Sequence, residues 1–187
     1  MRNMIGALLF IFICVACGKF IIPFVFASAL LVHEIGHLLA AKAVGAKILS
    51  VKPSFLGLII KYDLLSVSPI RESIVCISGS VLGIMSAIAV ILSDLAKYEF
   101  GIDYILISST LSFMNLLPII GLDGGEILLC ILESFTLPDM AYKISKSISG
   151  SITIVFWAIT IRIQMRHGIN LSMLLVSVYL LYRSLFQ

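Results

Sequence analysis

Charge is what this sequence lacks most. Of its 187 residues only 12% are Asp, Glu, Lys or Arg, where a soluble domain carries about 25%. A further 60% are hydrophobic, against roughly 45–50% in a soluble domain, and the mean hydropathy is +1.15. A chain this size cannot bury so much apolar surface in water. Lipid is the solvent the composition requires. The net charge of +3 is too small and too dispersed for a nucleic-acid footprint. Convincing repeats and low-complexity tracts are missing, as is room for a sizeable soluble domain. Residues 1–187 therefore read as a single membrane-embedded domain.

Cysteine is also scarce. Cys14, Cys17, Cys76 and Cys130 all lie in apolar stretches, where a thiol behaves as a small hydrophobe. Cys14 and Cys17 form a C-x-x-C without further ligands nearby, so neither a redox nor a zinc role is assigned to them. The stretch 4–17 has the length of a signal-peptide core. Apolar sequence runs on through Ile21–Leu39 after only Gly18-Lys19, which favours an uncleaved first span.

What the chain does have is long apolar runs. They predict an all-α polytopic membrane protein with about six transmembrane helices, near 4–17, 21–41, 73–93, 103–132, 147–161 and 169–186. The first is short and the fourth long, so a tilt or a break is expected in each. With the N-terminus in the cytoplasm, Arg2, Lys42, Lys47, Lys52, Lys61, Arg71, Lys143, Lys146 and Arg183 fall on the cytoplasmic side. Lys19, Lys97, Arg162 and Arg166 fall on the other. That excess puts both ends inside. Trp157 and the tyrosines near span ends fit an interfacial belt, and the lysines of the 42–71 region meet anionic headgroups. Between spans 2 and 3, Ala46–Ser68 is different in kind. It is apolar yet broken by Pro53 and Gly57, and its β-branched and aromatic residues predict a short membrane-associated β-hairpin-like segment.

Two of the three histidines fall in His33-Glu34-Ile35-Gly36-His37. On a helix, positions i and i+4 share a face, so both imidazoles can reach one metal ion, with Glu34 beside its water. Three ionisable residues in five, inside a span, are costly and mark a functional site by default. A catalytic zinc needs one more protein ligand. Asp123, Glu126, Cys76, Cys130 and Glu133 are the candidates, and depth in the membrane favours Asp123. Its context, Asn115-Leu-Leu-Pro118-Ile-Ile-Gly121-Leu-Asp123-Gly124-Gly125, interrupts the helix and opens backbone toward a polar site. His167 follows Arg162 and Arg166 and reads as a solvated residue of an outer loop.

A His-Glu-x-x-His in an early span, followed by Asn-x-x-Pro-x-x-x-x-Asp-Gly in a later one, is similar to the site-2 protease family of intramembrane zinc metalloproteases. His33–His37 and Asn115–Gly125 carry the similarity, and the order of elements extends it over about 21–132. Small size, six expected spans and the lack of a recognisable PDZ or CBS segment resemble the branch containing the stage IV sporulation protein FB. Pro53-Ser54-Phe55-Leu56-Gly57 is a looser version of that branch's turn after the zinc helix. The third span departs from the family pattern: Gly79-Ser80-Val81-Leu82-Gly83 keeps a small-x-x-x-small face but has no asparagine. Glu126 stands where the family commonly has a basic residue.

The resemblance implies one Zn²⁺ per chain, held by His33, His37 and Asp123, with Glu34 as catalytic general base. Asn115 would help hold the substrate or steady the oxyanion. The activity implied is hydrolysis of a peptide bond in or near the transmembrane segment of a membrane protein, near the cytoplasmic face. Implied partners are that substrate, a membrane-bound regulatory protein and the lipid bilayer, with no nucleic acid. In the sporulation branch the substrate would be a pro-sigma factor. The location would be the bacterial cytoplasmic membrane or the membrane around the forespore. Two other classes remain: a catalytically inactive zinc-binding membrane regulator and a small ion transporter. Intact Glu34 argues against the first. Against the second, transporters pair broken helices, and the sequence shows one.

Overall fold

The computed structural model describes residues 20–54, 57–63, 68–168, 170, 173, 174, 176–178, 180 and 181. The expected span near 4–17 lies outside them, as does much of the one near 169–186. The described chain is mostly helical. In order it runs α1 (Ile22–Ala43), β1 (Lys47–Ser54), β2 (Gly57–Asp63), α2 (Pro69–Ile91), a 3₁₀ turn (Asp94–Lys97), α3 (Glu99–Asn115), α4 (Asp123–Glu133) and α5 (Pro138–His167). Among the described residues, three helices are long and apolar enough to cross a membrane: α1, α2 and α5. The chain forms two compact units, Met1–Asn115 and Leu116–Gln187.

In the first unit, α1 begins with Pro23 in its opening turn, where the missing N–H is no loss. It ends where Gly45 adopts φ +76°. There Ala46 N–H donates to Ala41 O at 2.9 Å, a Schellman-type closure that a side chain at 45 would strain. α2 likewise starts on a proline, Pro69, after Ser68. Between these helices β1 and β2 pair antiparallel, from Lys47 opposite Asp63 to Ser54 opposite Gly57, with an irregularity between Ile48 and Ser50. Phe55 and Leu56, at the expected turn, lie outside the described residues.

Helices α1, α2 and α3 pack on one another through glycine and hydroxyl side chains. Gly79 and Gly83, the small-x-x-x-small face of α2, serve two different neighbours. Gly79 meets α1 and Gly83 meets α3, where an added Cβ would lie 2.3 Å from Ser112 Oγ. Ser108 Oγ donates to Gly83 O at 2.9 Å, Ser80 Oγ to Ser112 O at 3.1 Å, and Tyr104 OH to Ser86 Oγ at 2.9 Å. Such a seam suits helices in lipid. Where burying another leucine gains nothing over the acyl chains, close approach and hydrogen bonds hold helices together.

In the second unit, the long fourth run is broken. α3 stops at Asn115, and the chain resumes a helix only at Asp123. The physical reason is local: Pro118 cannot continue the helix, and Gly121 takes φ +84°. The fifth run corrects the sequence reading. A span near 147–161 is expected, but α5 covers Pro138–His167. No proline or glycine follows Gly150 until Gly168, whose φ of +86° ends the helix. Arg162 and Arg166 therefore stand on the helix, not in an outer loop, and the backbone of His167 closes it. Trp157 falls near the middle of α5 and donates through Nε1 to Ser177 O at 3.0 Å, so it is no span-end anchor.

Candidate metal centre

The unbroken turns of α1 put His33 and His37 on one face, both buried. Their rings meet edge to face with centroids 4.8 Å apart, and their Nε2 atoms are 3.1 Å apart. His37 Nδ1 lies 2.8 Å from Val75 O on α2. A carbonyl only accepts, so Nδ1 carries the hydrogen and Nε2 keeps its lone pair for the space it shares with His33. Glu34, between the two histidines, is also buried, at 9% exposure. Asn115, the last residue of α3, brings its Nδ2 to 3.3 Å from His33 Nε2.

Room for this arrangement comes from two glycines. A Cβ on Gly36 would lie 2.6 Å from Ser78 O and 2.8 Å from Gly79 Cα, and one on Gly79 would lie 2.3 Å from His37 Nε2. So α1 and α2 cross in backbone contact, and the His37 ring lies over bare Cα where another residue would carry a side chain. The Val75 carbonyl, Ser78 and Gly79 are parts of the site that sequence reasoning did not single out. A main-chain acceptor leaves no mark in the sequence. Gly79 was visible only as half of a packing motif.

Asp123 is built differently. It opens α4, where the positive end of the helix dipole favours a carboxylate, and it is half-buried. The preceding segment folds back so tightly that a Cβ on Gly124 would lie 2.2 Å from Leu116 O, and one on Gly125 2.2 Å from Ile119 O. That explains the paired glycines after the aspartate. Ile119 is fully buried, and Ile120 N–H donates to Ser149 Oγ of α5 at 3.1 Å, which pins the loop to the helix.

His33 and His37 each offer one ligand nitrogen from the first unit, and Asp123 a carboxylate oxygen from the second. Among the described residues these three are the candidate ligand set. Glu126, Cys76, Cys130 and Glu133 are not in it. The donor set fits zinc: two imidazole nitrogens and a carboxylate oxygen, with a fourth position free. At Zn–N distances of about 2.0–2.1 Å, a tetrahedral ion holds two nitrogens about 3.3 Å apart, close to the separation of the two Nε2 atoms.

No family model matches the chain, and no curated protein matches it. Among solved structures, the chain is similar to the site-2 protease from Methanocaldococcus jannaschii, with a TM-score of 0.74 at 20% identity. The match covers 96% of this chain and 86% of that one. The likeness is one of fold.

Proposed function

We propose that the protein is a zinc-dependent intramembrane endopeptidase that cuts a membrane protein in or near its transmembrane segment. The observation that carries this reading is the pair of buried imidazoles on α1. Their Nε2 atoms are 3.1 Å apart, and His37 has its hydrogen committed to the Val75 carbonyl. Two ring nitrogens so placed can both reach one metal ion. The fold shared with a site-2 protease supports the same reading.

In this reading His33, His37 and Asp123 hold one Zn²⁺. When bound, the ion supplies Lewis acidity at the scissile carbonyl and makes water acidic enough to attack near neutral pH. Glu34 is the general base. Its carboxylate takes the proton from the attacking water and then delivers it to the leaving amine. Asn115, whose amide lies at the His33 ring, would help hold the substrate or donate to the substrate oxygen as negative charge develops there. A helical substrate hides its amides and must unwind first. The β1–β2 pair offers an edge to which an extended segment can add. Proline substitutions along that edge that left cleavage unchanged would remove this step.

The substrate class is a membrane protein, of which a membrane-associated pro-sigma factor is one example that rests on the sporulation-branch resemblance alone. The site faces the cytoplasmic side of a bacterial membrane by the charge distribution of the loops. The test is co-expression with a tagged single-span substrate. Wild type should cleave it, while Glu34→Gln should bind zinc and fail. Equal cleavage by the variant would end the protease assignment. Zinc binding without cleavage by either would leave a metal-binding regulator, and metal-independent ion flux in vesicles a transporter.

A further inference from the structure

We infer that Ser78 is a positioning residue for the His37 imidazole. The inference rests on the metal-centre reading above and adds to it the group that sets the angle of one ligand. Ser78 lies on α2, one residue before the glycine over which the His37 ring sits. Its Oγ is 3.0 Å from Gly36 O on α1 and 2.5 Å from Val75 O on its own helix. Those two carbonyls are not an arbitrary pair. Gly36 is the residue before His37 in the chain, and Val75 O is the acceptor of the His37 Nδ1 hydrogen. One hydroxyl therefore touches the main chain that carries the ring and the atom that orients it.

Gly79 presents only Cα beneath the ring, and the His33 ring meets it edge to face. The Nδ1–H···O bond helps to set the ring angle, and the position of that oxygen responds to what else the Val75 carbonyl bonds. A serine hydroxyl that returns to the carbonyl three residues earlier draws that carbonyl outward from the helix axis. The hydroxyl has a single proton for two acceptors, so either carbonyl can take it while the other stays within reach. Both arrangements keep α1 and α2 in register at this one residue. Groups that orient metal-bound histidines in this way typically carry 10- to 100-fold of the affinity for the metal.

The full chain, purified in detergent, tests this without reference to activity. Zinc affinity is measured by chelator competition, and ligand geometry by the visible absorption of the Co²⁺-loaded protein. The proteins compared are wild type, Ser78→Ala, Ser78→Cys, Ser78→Thr and His37→Ala. Ser78→Ala should bind zinc about 10-fold more weakly, with an altered Co²⁺ spectrum. Ser78→Cys, which keeps the volume and weakens the hydrogen bond, should shift in the same direction. Ser78→Thr keeps the hydroxyl and should restore both readouts. Wild-type affinity and spectrum in Ser78→Ala and Ser78→Cys, whatever their thermal stability, overturn the inference and leave Ser78 a packing residue. If Ser78→Ala does not fold, Ser78→Cys decides alone. If wild type binds no stoichiometric zinc, or His37→Ala binds as tightly as wild type, the metal-centre reading fails and this inference with it.

Discussion

Two regions of the molecule hold the same kind of group by opposite means. In the first unit, the histidines stand on an unbroken helix, and regular geometry does the placing: four residues of α-helix bring two rings to one face. What is unusual there is the neighbour, a helix thinned to glycine so that a ring can lie on its backbone. In the second unit, Asp123 stands where regularity stops. Seven residues of non-helical chain, Leu116–Leu122, turn their carbonyls onto the first turn of α4, and two glycines are needed to let them in. A periodic element places side chains cheaply and always in the same relation. A broken one can place a single side chain where no helix would, but needs its own hydrogen bonds and small residues to stay there.

This difference predicts how each region fails. The largest effect belongs to neither scaffold but to Glu34, the proposed base. Glu34→Gln should lower cleavage by about 10²- to 10⁴-fold while metal content, read by atomic absorption, stays at one per chain. Next is Gly79→Ala. Its Cβ would meet the His37 ring, so metal affinity should fall about 10- to 100-fold, measured by chelator competition, with the fold retained because a side chain can yield. Gly125→Ala should behave the other way. Its Cβ meets the Ile119 carbonyl, which cannot yield without moving the loop, so stability should fall by about 1–3 kcal/mol in denaturant titration. Equal patterns of loss in the two alanine variants would erase the distinction between the regions.

Smaller changes sharpen it further. Ser149→Ala leaves the Ile120 N–H without its acceptor and should destabilise the second unit by about 1–3 kcal/mol. Proteolysis within 116–122 should rise in that variant. Tyr104→Phe removes one hydroxyl from the α2–α3 seam, where such bonds average about 0.6 kcal/mol in a membrane protein. Metal affinity should not change. A measurable loss of metal there would mean that the seam between α2 and α3 reaches the histidines energetically, which its geometry does not suggest.

The same contrast explains what could be read in the sequence. The meeting of His33 and His37 on one helix face was legible because residues four apart in a helix have a fixed relation, and that relation survives any detail of packing. The break before Asp123 was legible from Pro118 and the glycines, since their effect on the backbone is local. The candidate third ligand could be chosen only by depth, because nothing in a sequence reports which groups meet in space. The Val75 carbonyl and the hydroxyl of Ser78 were not legible at all. Any residue supplies a carbonyl, and serines are common in this chain. The length of α5 was misjudged because two arginines and a histidine looked like a loop, although charge at the end of a long helix stops nothing by itself.

The crossing at Gly36 and Gly79 has a consequence for anyone who would re-engineer the site. The variable position just before the second histidine is where the first helix touches the second, so ligand spacing and interhelical distance share atoms. A larger residue there would push the helices apart by something near the width of a methyl group and carry the Val75 oxygen away from the ring. Affinity for the ion and tightness of the crossing are therefore one adjustable quantity, not two. Variants selected for a stronger helix crossing should be screened for metal affinity in the same round.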